Sequence, residues 1–274
     1  MKIPHAVSVS VKQGSMKILV TNDDGVYAPG LWIVVKELQR VGQVTIVAPQ
    51  QERSGAGTSI SLRQSIKVKR VEPQLEGVET YSVEGTPSDG VIIAVKSLFP
   101  GDINLIVSGI NRGPNIGHDV FVSGTVGAAF QGYLHGISSL AISVNAYEEL
   151  NFTVGARLAA LLAAKIRDGI IPEGNLLNVN LPNLALSEIG GVEITTLSKQ
   201  NYCDTVEREL SSEVECYRIR RSQDSFHSNV GSDVYALQLN RISITPLADG
   251  NVPISLRRRL QTLAPALYSE LHSY

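Results

Sequence analysis

The chain has only two cysteines in 274 residues, Cys203 and Cys216. With no CxxC spacing between them, neither a thiolate metal site nor a disulfide framework is expected. Excess positive charge is also missing: 24 Lys and Arg stand against 26 Asp and Glu, for a formal charge of −2. That balance lacks the basic footprint of a protein whose main partner is a nucleic-acid polymer. It leaves room for a small anion, which needs only local positive potential. No apolar run reaches the roughly 18 residues of a membrane span. Residues 1–15 carry Lys2 but no apolar stretch of the kind that marks a signal peptide. A cytoplasmic location, with no membrane partner, is the default expectation.

Several catalytic fingerprints are absent too. The first apolar segment is followed by Asn-Asp-Asp-Gly-Val-Tyr (22–27) rather than GxGxxG, and its acids would repel a bare pyrophosphate. Gly113-Pro-Asn-Ile-Gly117 lacks the Lys-Ser/Thr of a P-loop. No Gly-x-Ser-x-Gly elbow is present. Adjacent Asp23 and Asp24 do not match the Asp-x-Asp spacing of aspartyl-phosphate enzymes. The five histidines, at 5, 118, 135, 227 and 272, form no metal-binding pair. His118, inside a Gly/Asn loop, is a candidate proton donor or simply a surface histidine.

What is present starts with Lys17-Ile-Leu-Val-Thr-Asn-Asp-Asp-Gly25. Ile18 to Thr21 suit a buried strand that delivers Asp23 and Asp24 to its C-terminal end, where Gly25 lets the backbone turn. Ligands of open α/β sheets bind outside those strand ends. Two carboxylates crowded there repel unless a cation separates them or one is protonated. Such oxygen donors suit Mg²⁺ or Mn²⁺. A plain Asx-glycine turn would use the same residues structurally.

Apolar content of 43% and charged content of 18% are ordinary for a globular protein with a substantial core. Strands are expected over 17–21, 44–48, 65–71, 79–84, 104–108, 139–144 and 176–181. Helices are expected over 29–41, 87–99 (capped by Thr86), 124–136 and 151–168. This alternation predicts an α/β fold with a parallel, doubly wound sheet over residues 16–183. Residues 1–15 are expected to be a disordered, dispensable extension or the product of an upstream start. Residues 184–274 change pattern, with strands over 190–197, 214–222 and 240–246 and a last helix over 253–270. The polar middle, 198–230, suits a protruding hairpin used for subunit contacts.

Three polar clusters reinforce the acidic pair. One offers Arg53, Ser54 and Thr58 among glycines; another runs from Ser108 through Gly109, Asn111, Gly113, Asn115 and Gly117 to Asp119. The third, Ser123-Gly124-Thr125, directly precedes a helix, whose free N–H groups make a phosphate site or whose serine is a plain cap. A pocket of this composition binds a metal and an anion together, and hydrolysis of a phosphate ester is the economical reading.

The sequence resembles the SurE (survival protein E) family of metal-dependent 5′(3′)-nucleotidases and acid phosphatases. The resemblance covers about residues 16–250. It rests on ILVTNDDG (18–25), APGL (28–31), VAPQQERSGAGTSIS (47–61), GTPSDGV (85–91), SGINRGPNIGHDVFVSGTVGAA (108–129) and SDVYALQLNRISITPL (232–247). It implies Asp23, Asp24, Ser54 and Asn111 as ligands of one divalent ion per subunit, Mg²⁺ or Mn²⁺. Asn22, Gly109, Asn115, Ser123, Gly124 and Thr125 match positions that line the phosphate pocket. It also implies a Rossmann-like core and a C-terminal segment exchanged between subunits of a homodimer or homotetramer. The chain departs from the family pattern at Thr58, Gly90, Phe121 and Gln131, none of them among the four ligands.

The expected activity is hydrolysis of nucleoside monophosphates to nucleoside and phosphate by metal-activated water. Asp23 or Asp24 would orient or deprotonate that water, and Asn111 with the 123–125 helix start would stabilise charge on the phosphoryl oxygens. Base preference, 5′ against 3′ position and polyphosphate cleavage are left open. The rival from another class is a non-catalytic nucleotide or phosphate sensor using the same pocket.

Overall fold

The computed structural model describes residues 15–199, 203–210, 215–222 and 229–274. The proposed N-terminal extension, up to residue 14, lies outside the described residues. The first half holds β1 (Met16–Thr21), α1 (Pro29–Leu38), β2 (Gly42–Pro49), β3 (Val68–Arg70), β4 (Glu79–Val83), α2 (Pro87–Ile93), β5 (Leu105–Arg112) and α3 (Gly124–Leu134). There follow β6 (Ser138–Asn145), α4 (Thr153–Arg167), β7 (Leu176–Pro182), β8 (Val192–Ile194), β9 (Cys203–Leu210), β10 (Glu215–Ser222), α5 (Asp233–Gln238), β11 (Ile242–Leu247) and α6 (Ile254–His272).

Nine strands form one sheet in the order β3-β4-β2-β1-β5-β6-β7-β11-β8. The six from β4 to β7 run parallel, while β3 and β11 are antiparallel to β4 and β7. The order turns back between β1 and β5: the chain first builds outward from β1 through β2, then returns to β1's other side. Such a switch point opens a crevice at the strands' C-terminal ends.

Both faces of the central strands are buried, which is why they read as unbroken apolar runs. On β1, Ile18 and Val20 join the core that includes residues of α1, α4 and α6, whereas Leu19 joins residues of α2 and α3 on the other face. Burying each such aliphatic side chain contributes about 2 kcal/mol. At α2, Thr86 accepts from the Asp89 N–H while the Asp89 carboxylate accepts from Thr86, a reciprocal cap. Beyond Ile93 the helix widens into a π-helical stretch, Ala94–Leu98, which together with α2 covers almost all of the expected span.

Three features differ from expectation. β5 does not stop at Ser108 but continues to Arg112, with a register irregularity between Ser108 and Asn111. Gly109 makes this possible: its φ is +128°, and a Cβ there would lie 2.3 Å from the Ile142 carbonyl oxygen. Read from sequence, that glycine looks like the strand's end. β9 escaped notice because charged residues fill its middle and no apolar alternation marks it. β9 and β10 pair antiparallel in a sheet of their own; other parts of the 198–230 segment lie outside the described residues. The short helix α5 was not expected. Because β8 and β11 extend the main sheet, the C-terminal third completes the core as well as carrying the hairpin. Among the described residues, no helix is long and apolar enough to cross a membrane.

Candidate active site

The site lies where β1 ends, with Thr21 opposite Ser108 of β5, which runs on to Arg112. Immediately after β1, Asn22 closes the turn on itself. Its side-chain amide donates to the Gly25 carbonyl at 2.9 Å, and its oxygen accepts from the Gly25 N–H at 3.2 Å. Asn22 is fully buried and committed to that turn. It therefore shapes the acidic pair's backbone instead of lining the cleft, as the resemblance had implied.

Asp23 is 4% exposed. Its carboxylate accepts hydrogen bonds from both the hydroxyl and the backbone N–H of Thr125, at the start of α3. The anion seated on this helix N-terminus is thus Asp23 itself, an arrangement the helix dipole favours. Gly124 allows the approach, since a Cβ there would stand 2.8 Å from both Cβ and Oδ2 of Asp23. Thr125 and Gly124 consequently hold Asp23 and do not line the cleft, and Gly109 serves the bend in β5. Of the helix-start trio only Ser123 lines the cleft, its Oγ accepting the Val126 N–H as the cap of α3.

Asp24 is half-buried. Burial first, and then the charge of Asp23, push its carboxyl up to about 6, against the opposing pull of Arg112. Asp23 is raised as well, mainly by burial, despite its bonds to Thr125. Arg112, the last residue of β5, also reaches Glu52 across 3.6 Å, and Glu52 Oε1 accepts the Ser54 hydroxyl at 2.8 Å. The loop after β2 is in this way tied to β5, with its backbone anchored by the Arg53 N–H to the Asp23 carbonyl at 2.7 Å.

Asn111 donates its amide to the Gly113 carbonyl at 2.8 Å, which leaves its oxygen as the group it presents. Asn115 is gripped from β7: its N–H donates to Asn180 Oδ1, and its carbonyl accepts from both Asn178 and Asn180. The Asn115 amide also donates to Ser143 Oγ at 2.8 Å. The Gly117 turn below is pinned by Asp233, a buried carboxylate that also accepts from the Ser198 and Val234 N–H groups.

These loops enclose a cleft of about 520 Å³, whose walls include Asp23, Ser54, Asn111, Asn115 and Ser123. Among the described residues, four carboxylates (Asp23, Glu52, Asp119 and Glu148) line it against one cation, Arg112. Asp24 adjoins Asp23 without lining the cleft. His118 is exposed, its ring 6.3 Å from that of Phe121, and is not part of the cleft wall.

Reading the sequence alone missed Glu52, Arg112, Asn178, Asn180 and Asp233. Asn178 and Asn180 carried a usable signal: two asparagines two apart on one face of an otherwise apolar strand need partners.

Comparison with known proteins agrees with this architecture. The family model described as Survival protein SurE matches residues 18–204. A curated protein of Dehalococcoides mccartyi named 5′-nucleotidase SurE is 43% identical over 234 residues, 85% of this chain and 88% of that protein. One of the same name from Vibrio parahaemolyticus is 36% identical over 240 residues, 87% and 90% of the two chains. The crystal structure of the SurE protein from Aquifex aeolicus superposes with a TM-score of 0.73 at 31% identity, covering 90% of this chain and 99% of that one. With the motifs, the sheet order and these matches in register over most of its length, the chain belongs to the SurE family.

Proposed function

We propose that this protein is a metal-dependent 5′-nucleotidase that hydrolyses nucleoside monophosphates to nucleoside and phosphate. One observation carries the reading: the ends of three separate strands, β1, β2 and β5, bring Asp23, Ser54, Asn111, Asn115 and Ser123 into a single cleft. The curated relatives, named as 5′-nucleotidases, support it.

The donor set fits a hard divalent cation. Among the described residues no group of three His, Cys, Asp or Glu could hold a metal, so a zinc-type site is not offered. Two carboxylates, a hydroxyl and an amide oxygen are the donors that Mg²⁺ or Mn²⁺ takes. Asp23 and Asp24 are buried together at a cost that a cation would offset. A phosphate dianion entering a cleft of four carboxylates and one arginine also needs such a counter-charge. Asp23, Asp24, Ser54 and Asn111 would hold the ion. When bound, it would polarise a phosphoryl oxygen and lower the pKa of a water.

The remaining work falls to the chain's own groups. Thr125 and the start of α3 keep Asp23 in one place, so its carboxylate need not reorganise during reaction. Asp23, which lines the cleft, orients the attacking water through its carboxylate oxygens. Asn115, fixed by Asn178 and Asn180, and the Ser123 hydroxyl face the phosphoryl oxygens. Arg112 offers the cleft's positive charge while Glu52 limits its swing. Water adds to phosphorus, the ester P–O bond breaks, and the nucleoside leaves with a proton.

Subunit assembly belongs to the same reading. The β9–β10 hairpin carries Val206, Tyr217 and Ile219 exposed. Val206 pairs with Ile219 and Arg208 with Tyr217, so the three apolar side chains share one face. We take that face as the contact of a homodimer or homotetramer, with 16–183 as the catalytic core.

The test is phosphate release from a panel of nucleoside 5′- and 3′-monophosphates with Mg²⁺, Mn²⁺ or excess chelator. Release that needs metal and favours 5′-monophosphates is expected. Folded protein that releases no phosphate with either metal would overturn the assignment.

A further inference from the structure

The cleft is larger than its chemistry requires. At about 520 Å³ it falls within the range of pockets that take up whole small-molecule ligands, and a phosphoryl group alone would fill only a fraction of it. Its lining is graded: Asp23, Asn111, Asn115 and Ser123 are buried, whereas Val122 and Tyr147 are exposed, Tyr147 by 61%. The aromatic surface of Tyr147 therefore stands at the mouth, beside exposed charged groups such as Glu52, Arg112 and Glu148.

Tyr147 is held there by the backbone beneath it. Its ring edge lies over Gly113, where a Cβ would be 2.5 Å from Cε1. Gly113 is anchored on both sides, its N–H donating to the Val144 carbonyl and its own carbonyl accepting the Asn111 amide. One glycine thus links the tyrosine to the asparagine proposed to face the metal and phosphate. Burial, and then the charge of Asp119, hold the Tyr147 phenol above the ordinary tyrosine range, so the ring is neutral at assay pH.

We infer that Tyr147 is a stacking platform for the nucleobase of the substrate, and so a specificity-determining residue of the cleft. The inference rests on the nucleotidase reading for its substrate class. A planar base is the part of a nucleoside monophosphate that gains from an aromatic face, and stacking of this kind tolerates any base. A phosphate ester without a base gains nothing from it.

Two measurements on the full-length protein test this. The first compares AMP with ribose 5-phosphate in wild type, Tyr147→Ala and Tyr147→Phe. In Tyr147→Ala the KM advantage of AMP over ribose 5-phosphate should fall by about tenfold, through KM and not kcat, with Tyr147→Phe close to wild type. The second is adenosine binding by calorimetry in chelator, where neither phosphate nor metal contributes. Wild type and Tyr147→Phe should bind adenosine, and Tyr147→Ala should bind it about tenfold more weakly with an unchanged melting midpoint. An unmoved AMP to ribose 5-phosphate ratio in Tyr147→Ala, or adenosine binding that ignores the substitution or is absent in wild type, overturns the platform. Adenosine binding through Tyr147 in a protein that hydrolyses no ester would overturn the nucleotidase reading and leave the platform standing.

Discussion

The hydroxyl of Thr125 donates to the carboxylate of Asp23 across 102 positions of sequence. It joins the end of the first strand to the start of the helix after β5. This bond orients an acid that burial alone would push toward its protonated form.

Replacing Thr125 by Val should keep the shape of the site and remove that donor. Outer partners of metal ligands typically contribute 10- to 100-fold in metal affinity, so Mn²⁺ binding by calorimetry should weaken by about that factor. Thr125→Ser should recover most of the loss. Equal affinity in wild type and Thr125→Val would show that Asp23 does not depend on this contact.

Asp24→Asn should remove most phosphate-releasing activity while the protein still folds. The substitution deletes a carboxylate that burial and the charge of Asp23 raise, so in chelator at neutral pH the variant should melt no lower than wild type. Near-normal turnover would sink the assignment of Asp24 to the metal site.

The pH dependence has a definite sign. An acid raised from 3.8 to about 6, as Asp24 is, binds its proton more tightly when folded. Its contribution to stability is complete below about pH 4 and is lost as pH rises through about 6. Measured in chelator, the melting midpoint of wild type relative to Asp24→Asn should therefore decline across that window. Saturating Mg²⁺ should offset the decline at neutral pH, because a ligand of the ionised form stabilises the folded state. A difference that grows in wild type's favour as pH rises in chelator would contradict the burial of this pair.

The hairpin face can be tested by charge. Val206→Lys with Ile219→Lys places two ammonium groups on paired positions of the exposed apolar face. Light scattering should report a lower molar mass than for wild type. A mass that does not change would remove this face as the subunit contact.

Much of this was legible in the sequence because it is encoded locally. The apolar runs at β1, β2 and β6 announce strands buried on both faces, and Thr86 with Pro87 announces the start of α2. Asp23, Ser54, Asn111 and Ser123 could be picked out because polar residues among glycines after a strand are conspicuous. What went unseen had no local period. β9 has charged residues through its middle and no apolar alternation, and Gly109 mimics an ending where the strand only bends.

The sequence by itself determined the α/β class, the parallel order and the family, since hydrophobic period and short motifs are properties of neighbouring residues. Only the tertiary structure decided what each polar side chain does. Asn22 is spent on its own turn and Thr125 on Asp23, Asn178 and Asn180 grip Asn115, and Tyr147 stands at the mouth. Those roles depend on which hydrogen-bonding groups meet when distant loops converge, and desolvation enforces the pairing once they are buried.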